Sequence, residues 1–108
     1  MPESVEVRRT ELFMEWLDSL RDARAIAKIS VRLDRVAAGN MGDVAAVGDG
    51  VSELRIHYGP GYRVYLMRLG AAVIVLLCGG DKSTQAKDIH DAKTLAKTIR
   101  DDGRNKSI

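Results

Sequence analysis

Residues 53–65 constrain the fold more than any other stretch of the chain. Glu53-Leu54-Arg55-Ile56-His57-Tyr58-Gly59-Pro60-Gly61-Tyr62-Arg63-Val64-Tyr65 reads as two alternating strands joined by a tight Gly-Pro-Gly turn. Strand side chains alternate between faces, so Leu54, Ile56, Tyr58, Tyr62, Val64 and Leu66 share one apolar side suited to a core. With residues 59–61 as the loop, Tyr58 faces Tyr62, His57 faces Arg63 and Arg55 faces Tyr65. The opposite side then carries Arg55, His57, Arg63 and Tyr65, a set that suits a phosphodiester. A plainer alternative stands beside it: Arg55 and Arg63 pair with acidic neighbours on a solvated face, and His57 is an ordinary surface histidine.

The remaining elements assemble around this hairpin. Val5 to Arg9 can form a first strand; Thr10 is placed to cap a helix with Leu12, Phe13, Trp16, Leu17 and Leu20 at helical spacing. Asp22 caps a second helix with the stripe Ala23, Ile26, Ala27, Ser30, Leu33 and Val36 or Ala37, and Gly39 ends it. Residues 40–50 hold three glycines and two aspartates and are expected to be mostly loop, with Val44 to Val47 pairing briefly. Ala72 to Cys78 is apolar on both faces, as a strand covered from both sides must be, and Gly79 and Gly80 end it. Ser83 or Thr84 then caps a last helix with Ala86, Ile89, Ala92, Leu95 or Ala96, and Ile99 on its apolar stripe. The order β-α-α-β-β-β-α predicts an α+β fold: a mainly antiparallel sheet packed by a helical hairpin and a C-terminal helix. The 108 residues make one domain, 1–108, with a flexible tail after residue 103.

Composition narrows the function classes. Hydrophobic residues at 45% and charged residues at 30% describe a globular protein rather than a disordered one. A formal charge of +2 does not by itself argue for nucleic acid. Its distribution says more, because Arg55, Arg63 and Arg68 stand against Glu53 alone between residues 53 and 69. From residue 82 onward, seven Lys and Arg stand against four Asp. Residues 1–10 lack the apolar core of a signal peptide and no apolar run is long enough to span a bilayer, so a cytoplasmic protein without a membrane partner is expected. The lone Cys78 sits in the most apolar run and reads as a buried thiol.

Two histidines and one cysteine, without metal-ligand spacing, predict no metal site, and no cofactor motif is present. The segment Gly79-Gly80-Asp81-Lys82-Ser83 is shorter than a Walker motif. What remains is a basic, hydrogen-bonding set. Arg55, His57, Arg63 and Tyr65 share the hairpin face; Lys82 leaves the next strand beside an open helix N-terminus; Lys87 and His90 lie on the first turns of that helix. RNA cleavage without metal needs a base for the 2′-OH, cations for the phosphorane, and an acid for the leaving 5′ oxygen. Arginines and a lysine suit the middle role; His or Tyr suits the others.

The element order, the Glu-Leu-Arg…Gly-Pro-Gly-Tyr-Arg-Val-Tyr hairpin and the strand ending in Cys-Gly-Gly-Asp-Lys-Ser-Thr-Gln-Ala-Lys-Asp-Ile-His-Asp-Ala resemble the RelE/ParE superfamily of type II toxin–antitoxin toxins. The resemblance runs from about Thr10 to about Leu95 and is nearest to HigB-like addiction-module killer proteins. It implies a small cytosolic toxin neutralised by a co-encoded antitoxin, often one with a helix-turn-helix domain. It further implies metal-independent cleavage of mRNA on the ribosome, leaving a 2′,3′-cyclic phosphate. On that basis Arg55, Arg63, Lys82 and Lys87 hold RNA, and His57, Tyr65 and His90 are the acid–base candidates. His90 is the nearest equivalent where some relatives carry Tyr or Tyr-His on the last helix. Two other functions fit the same fold: poisoning of DNA gyrase, as in the ParE branch, or a non-catalytic binding module.

Overall fold

The computed structural model describes residues 4–106, with side chains described through Gly103. Strand β1 (Glu6–Arg9) leads into helices α1 (Glu11–Ser19) and α2 (Ala23–Ala37). Four strands follow, β2 (Val44–Gly48), β3 (Val51–Ile56), β4 (Tyr62–Leu69) and β5 (Val73–Gly80), and a short 3₁₀ turn (Lys82–Thr84) opens helix α3 (Gln85–Lys106). The sheet order is β1-β5-β4-β3-β2; only the β1–β5 pair is parallel. The α+β class and mainly antiparallel sheet are those expected. The addition is β2, a full edge strand where only brief pairing was predicted. No helix among the described residues is long and apolar enough to cross a membrane.

Caps set the helix boundaries. The Thr10 hydroxyl accepts from the Phe13 N–H at 3.1 Å and lies 2.8 and 2.9 Å from the Leu76 and Leu77 carbonyls, which ties α1 to β5. The Asp22 carboxylate accepts from the Arg24 and Ala25 N–H groups. At the other end of α2, Gly39 (φ 93°) donates to Val36 and Asn40 donates to Arg35. This is a Schellman closure, and its positive φ favours glycine. The buried row of α2 is Ala25, Ile29, Leu33 and Val36. Of the expected stripe, Leu33 and Val36 hold, while Ala23 and Ala27 are exposed and Ile26 and Ser30 only half-buried. Asp81 caps the 3₁₀ turn that opens α3, its carboxylate accepting from the Ser83 N–H, ahead of the Ser83 or Thr84 expected to cap the helix. A carboxylate therefore already occupies the N-terminus of this turn, beside the segment expected to be open for an anion.

The sheet is covered on both faces. Phe13, Ile29, Leu33, Leu54, Ile56, Val64, Leu66, Ile74 and Leu76 pack beneath α1 and α2. Val51, Tyr65, Met67, Val75, Leu77 and Cys78 pack beneath Ala92 and Ala96 of α3. Between β4 and β5 the register slips: Tyr65 pairs with Cys78 but Leu66 pairs with Leu76. Leu77 is the extra residue of a bulge, and Leu77 and Cys78 therefore both turn toward α3. Gly79 and Gly80 are the last two residues of β5. A Cβ at Gly79 would overlap the Trp16 ring, and one at Gly80 would overlap the Asp88 carboxylate. Both glycines thus let α1 and α3 approach the end of β5 closely.

Candidate functional site

The site begins with the β3–β4 register. Glu53 pairs with Tyr65, Leu54 with Val64, Arg55 with Arg63 and Ile56 with Tyr62. The predicted pairing is two residues out of step, because the loop runs from residue 57 to 61 rather than from 59 to 61. A two-residue slip preserves parity, so Arg55, Arg63 and Tyr65 do share a face. His57 is in the loop, not on the strand.

That face is organised by Glu53. Glu53 is completely buried. Its Oε1 accepts from Arg55 Nε at 3.1 Å and Arg63 Nη1 at 2.9 Å; its Oε2 accepts from Tyr65 Oη at 3.0 Å and Gln85 Nε2 at 2.9 Å. Burial pushes the carboxyl's pKa up, but hydrogen bonds from Gln85, Arg55 and Tyr65 and the Arg63 charge outweigh it and hold it below the usual carboxylate range. Tyr65 is also fully buried; burial and its bond to Glu53 raise its pKa and keep the phenol a proton donor. One anion faces two guanidinium groups, so the cluster keeps a net positive charge. The plainer alternative holds for the pairing but not for the exposure: Arg55 and Arg63 both pair with Glu53, yet the Arg63 side chain is only 14% accessible. Its Nε is, among the described residues, the buried side-chain nitrogen without a hydrogen-bond partner.

Above this cluster, His57, Arg63 and Lys82 line one groove of about 460 Å³ with Tyr58, Gly59, Pro60 and Gly61. Three elements contribute: the β3–β4 loop, the start of β4 and the 3₁₀ turn after β5. The Lys82 N–H donates to the Pro60 carbonyl at 3.4 Å, which holds the 3₁₀ turn against the hairpin loop. His57 is exposed, and its Nε2 lies 2.5 Å from Asp43 Oδ2. The Asp43 carboxyl is held below its usual range, chiefly by that hydrogen bond. Asp43 is fixed in turn by Arg32, whose guanidinium donates to the carbonyls of Met41, Asp43 and Arg55. Neither Asp43 nor Arg32 stood out in the sequence; they lie 14 and 25 residues from His57, and no local motif links them.

The last helix contributes less than expected. Lys87 pairs with Asp91 at 2.8 Å and lines a separate depression with Trp16 and Gly79. His90 is exposed and lines none of the described grooves. Cys78 is buried, its thiol pushed up to about 12 by burial first and by Asp88 second, which makes it a poor nucleophile.

Residues 15–100 match the family described as phage-derived Gp49-like proteins (DUF891), a match that spans both sheet faces and the whole groove. The chain belongs to the Gp49-like family. An uncharacterized protein of Haemophilus influenzae is 49% identical to it over 96 residues, covering 89% of this chain and 97% of that relative. Gp49-like proteins are associated with the toxins of toxin–antitoxin systems, and the architecture described above is compatible with a RelE-like fold. At that level the Gp49-like assignment agrees with the toxin–antitoxin class expected from the hairpin and the end of β5. It also points to an antitoxin as a partner.

Proposed function

We propose that this Gp49-like protein is the toxin of a type II pair, related to HigB-like members of the RelE/ParE superfamily, and that it cleaves ribosome-bound mRNA without a metal ion. The observation that carries the proposal is the convergence of His57, Arg63 and Lys82 on one groove, with Asp43 2.5 Å from the imidazole. Asp43 occupies Nε2, leaving Nδ1 to take the 2′-OH proton as the O2′–P bond forms. Arg63 holds the non-bridging oxygens from the wall of the groove. Lys82, as an ammonium, stabilises the same charge and gives a proton to the 5′ oxygen as the P–O5′ bond breaks. Arg55 raises the local positive charge, and Tyr65 supports the site from beneath as a fixed donor to Glu53. The antitoxin is a co-encoded protein with a helix-turn-helix domain.

Induction of the chain alone in growing cells is expected to arrest translation, with primer extension showing new 5′ ends within codons of translated messages. Intact transcripts with stalled replication would replace this reading with gyrase poisoning; unaffected growth would reduce the chain to a binding module.

A further inference from the structure

A second groove, of about 380 Å³, runs between α2 and the β3–β4 hairpin and meets the first at His57 and Tyr58, which line both. Its floor is aliphatic: Ala27, Val31 and Ile56. Val31 is 50% exposed on the side of α2 away from its buried row, and it stands beside Ala27 and Ile56 in the groove. The rim is cationic, formed by Lys28, Arg32, Arg35 and Arg55, with His57 at one end and no carboxylate among the lining residues. Nearby acids are committed elsewhere, Asp43 to His57 and Asp22 to the Tyr58 hydroxyl.

We infer that this groove docks an acidic, amphipathic segment of the antitoxin, its aliphatic side chains on Val31 and Ile56 and its carboxylates on Lys28, Arg35 and Arg55. Charge complementarity selects an anionic occupant, and the floor selects a peptide over RNA. Single-stranded RNA binds through bases stacked on open aromatic faces. The only aromatic ring here, Tyr58, is covered by the Lys28 ammonium at 5.3 Å from its centroid. A segment seated here would engage Arg55 and His57 from the α2 side, so it would restrain the loop carrying His57 without covering Lys82. The inference rests on the toxin proposal only for which chain supplies the segment.

The test is a titration of the isotope-labelled full chain, followed by amide resonances, with three ligands. One is a synthetic 14-residue peptide with alternating pairs of Glu and Leu at helical spacing. The others are the same peptide with every Leu replaced by Ser, and a 12-nucleotide oligouridylate. The Glu-Leu peptide is expected to shift amides around Val31 and Ile56. Its Kd is expected to rise about tenfold in Val31→Asp and again in Lys28→Glu/Arg35→Glu, all surface changes that leave the thermal midpoint within a few degrees. Equal binding of the Ser peptide would overturn the apolar contribution. Oligouridylate shifting these amides while the Glu-Leu peptide does not would make the groove a nucleic-acid surface. Peptide binding is read without RNA cleavage, so intact mRNA in cells would remove the nuclease proposal and leave the groove result standing.

Discussion

Replacing Glu53 by alanine is expected to destabilise the protein more than any other single substitution in the site. The carboxylate is fully buried and accepts four hydrogen bonds, from Arg55, Arg63, Tyr65 and Gln85. Alanine removes the only anion in the cluster and leaves the largely buried Arg63 cation uncompensated. Breaking a buried pair from one side costs about 3–5 kcal/mol. For a domain of this size that lowers the melting midpoint by roughly 12 °C or more. The same residue sets an acid limit on stability. Its folded pKa lies below the unfolded value of about 4.3, so the stabilisation is fully present above that value and is lost as pH falls through the folded pKa. Glu53→Gln, which cannot titrate, should lack that acid-induced loss in urea titrations at descending pH. Wild-type stability in Glu53→Ala would mean that the strand-face cations need no internal counter-ion.

Replacing His57 by alanine is expected to leave stability unchanged and to lower mRNA cleavage by about 10²–10⁴-fold, the usual worth of a positioned acid–base group. Its side chain is 77% exposed and its partner contact is with an exposed loop carboxylate, so little packing is lost. Asp43→Asn keeps the shape of that contact but removes the charge that favours one imidazole orientation. It should therefore fall between wild type and His57→Ala when ribosome-programmed cleavage rates are compared. A His57→Ala variant that cuts at the wild-type rate would move the acid–base role elsewhere and reopen the case for His90 on α3. Arg63→Ala, by contrast, should lose both activity and stability, because its guanidinium completes the Glu53 cluster.

How much of this was legible beforehand follows from the range of each interaction. Strand alternation is local and has period two, so the division of Leu54, Ile56, Val64 and Leu66 from Arg55, Arg63 and Tyr65 survived a two-residue error in register. Capping is equally local, and Thr10, Asp22 and Gly39 act as their side chains predict. After β5 a 3₁₀ turn capped by Asp81 precedes α3, so the first cap falls ahead of the expected Ser83 or Thr84. The α2 stripe shifted because alanines fill so much of that helix that several apolar rows were available; packing under the sheet chose Ala25 and Ile29. Glu53 was the missed opportunity. An acid with the same parity as two arginines and a tyrosine in adjacent strands is a readable sign of an internal counter-ion. The Asp43–His57 contact had no such sign, since it depends on Arg32 holding a glycine-rich loop against the hairpin.

The central claim is that an RNA 2′-OH attacks its own phosphodiester in the groove between His57, Arg63 and Lys82. The measurement that tests it most directly is the chemistry of the 3′ ends left on messages cut by the purified chain on programmed ribosomes. Fragments ending in a 2′,3′-cyclic phosphate, formed by wild type and lost in Lys82→Ala, are the predicted result. Fragments ending in a 3′-hydroxyl, or cleavage undiminished in Lys82→Ala, would contradict it.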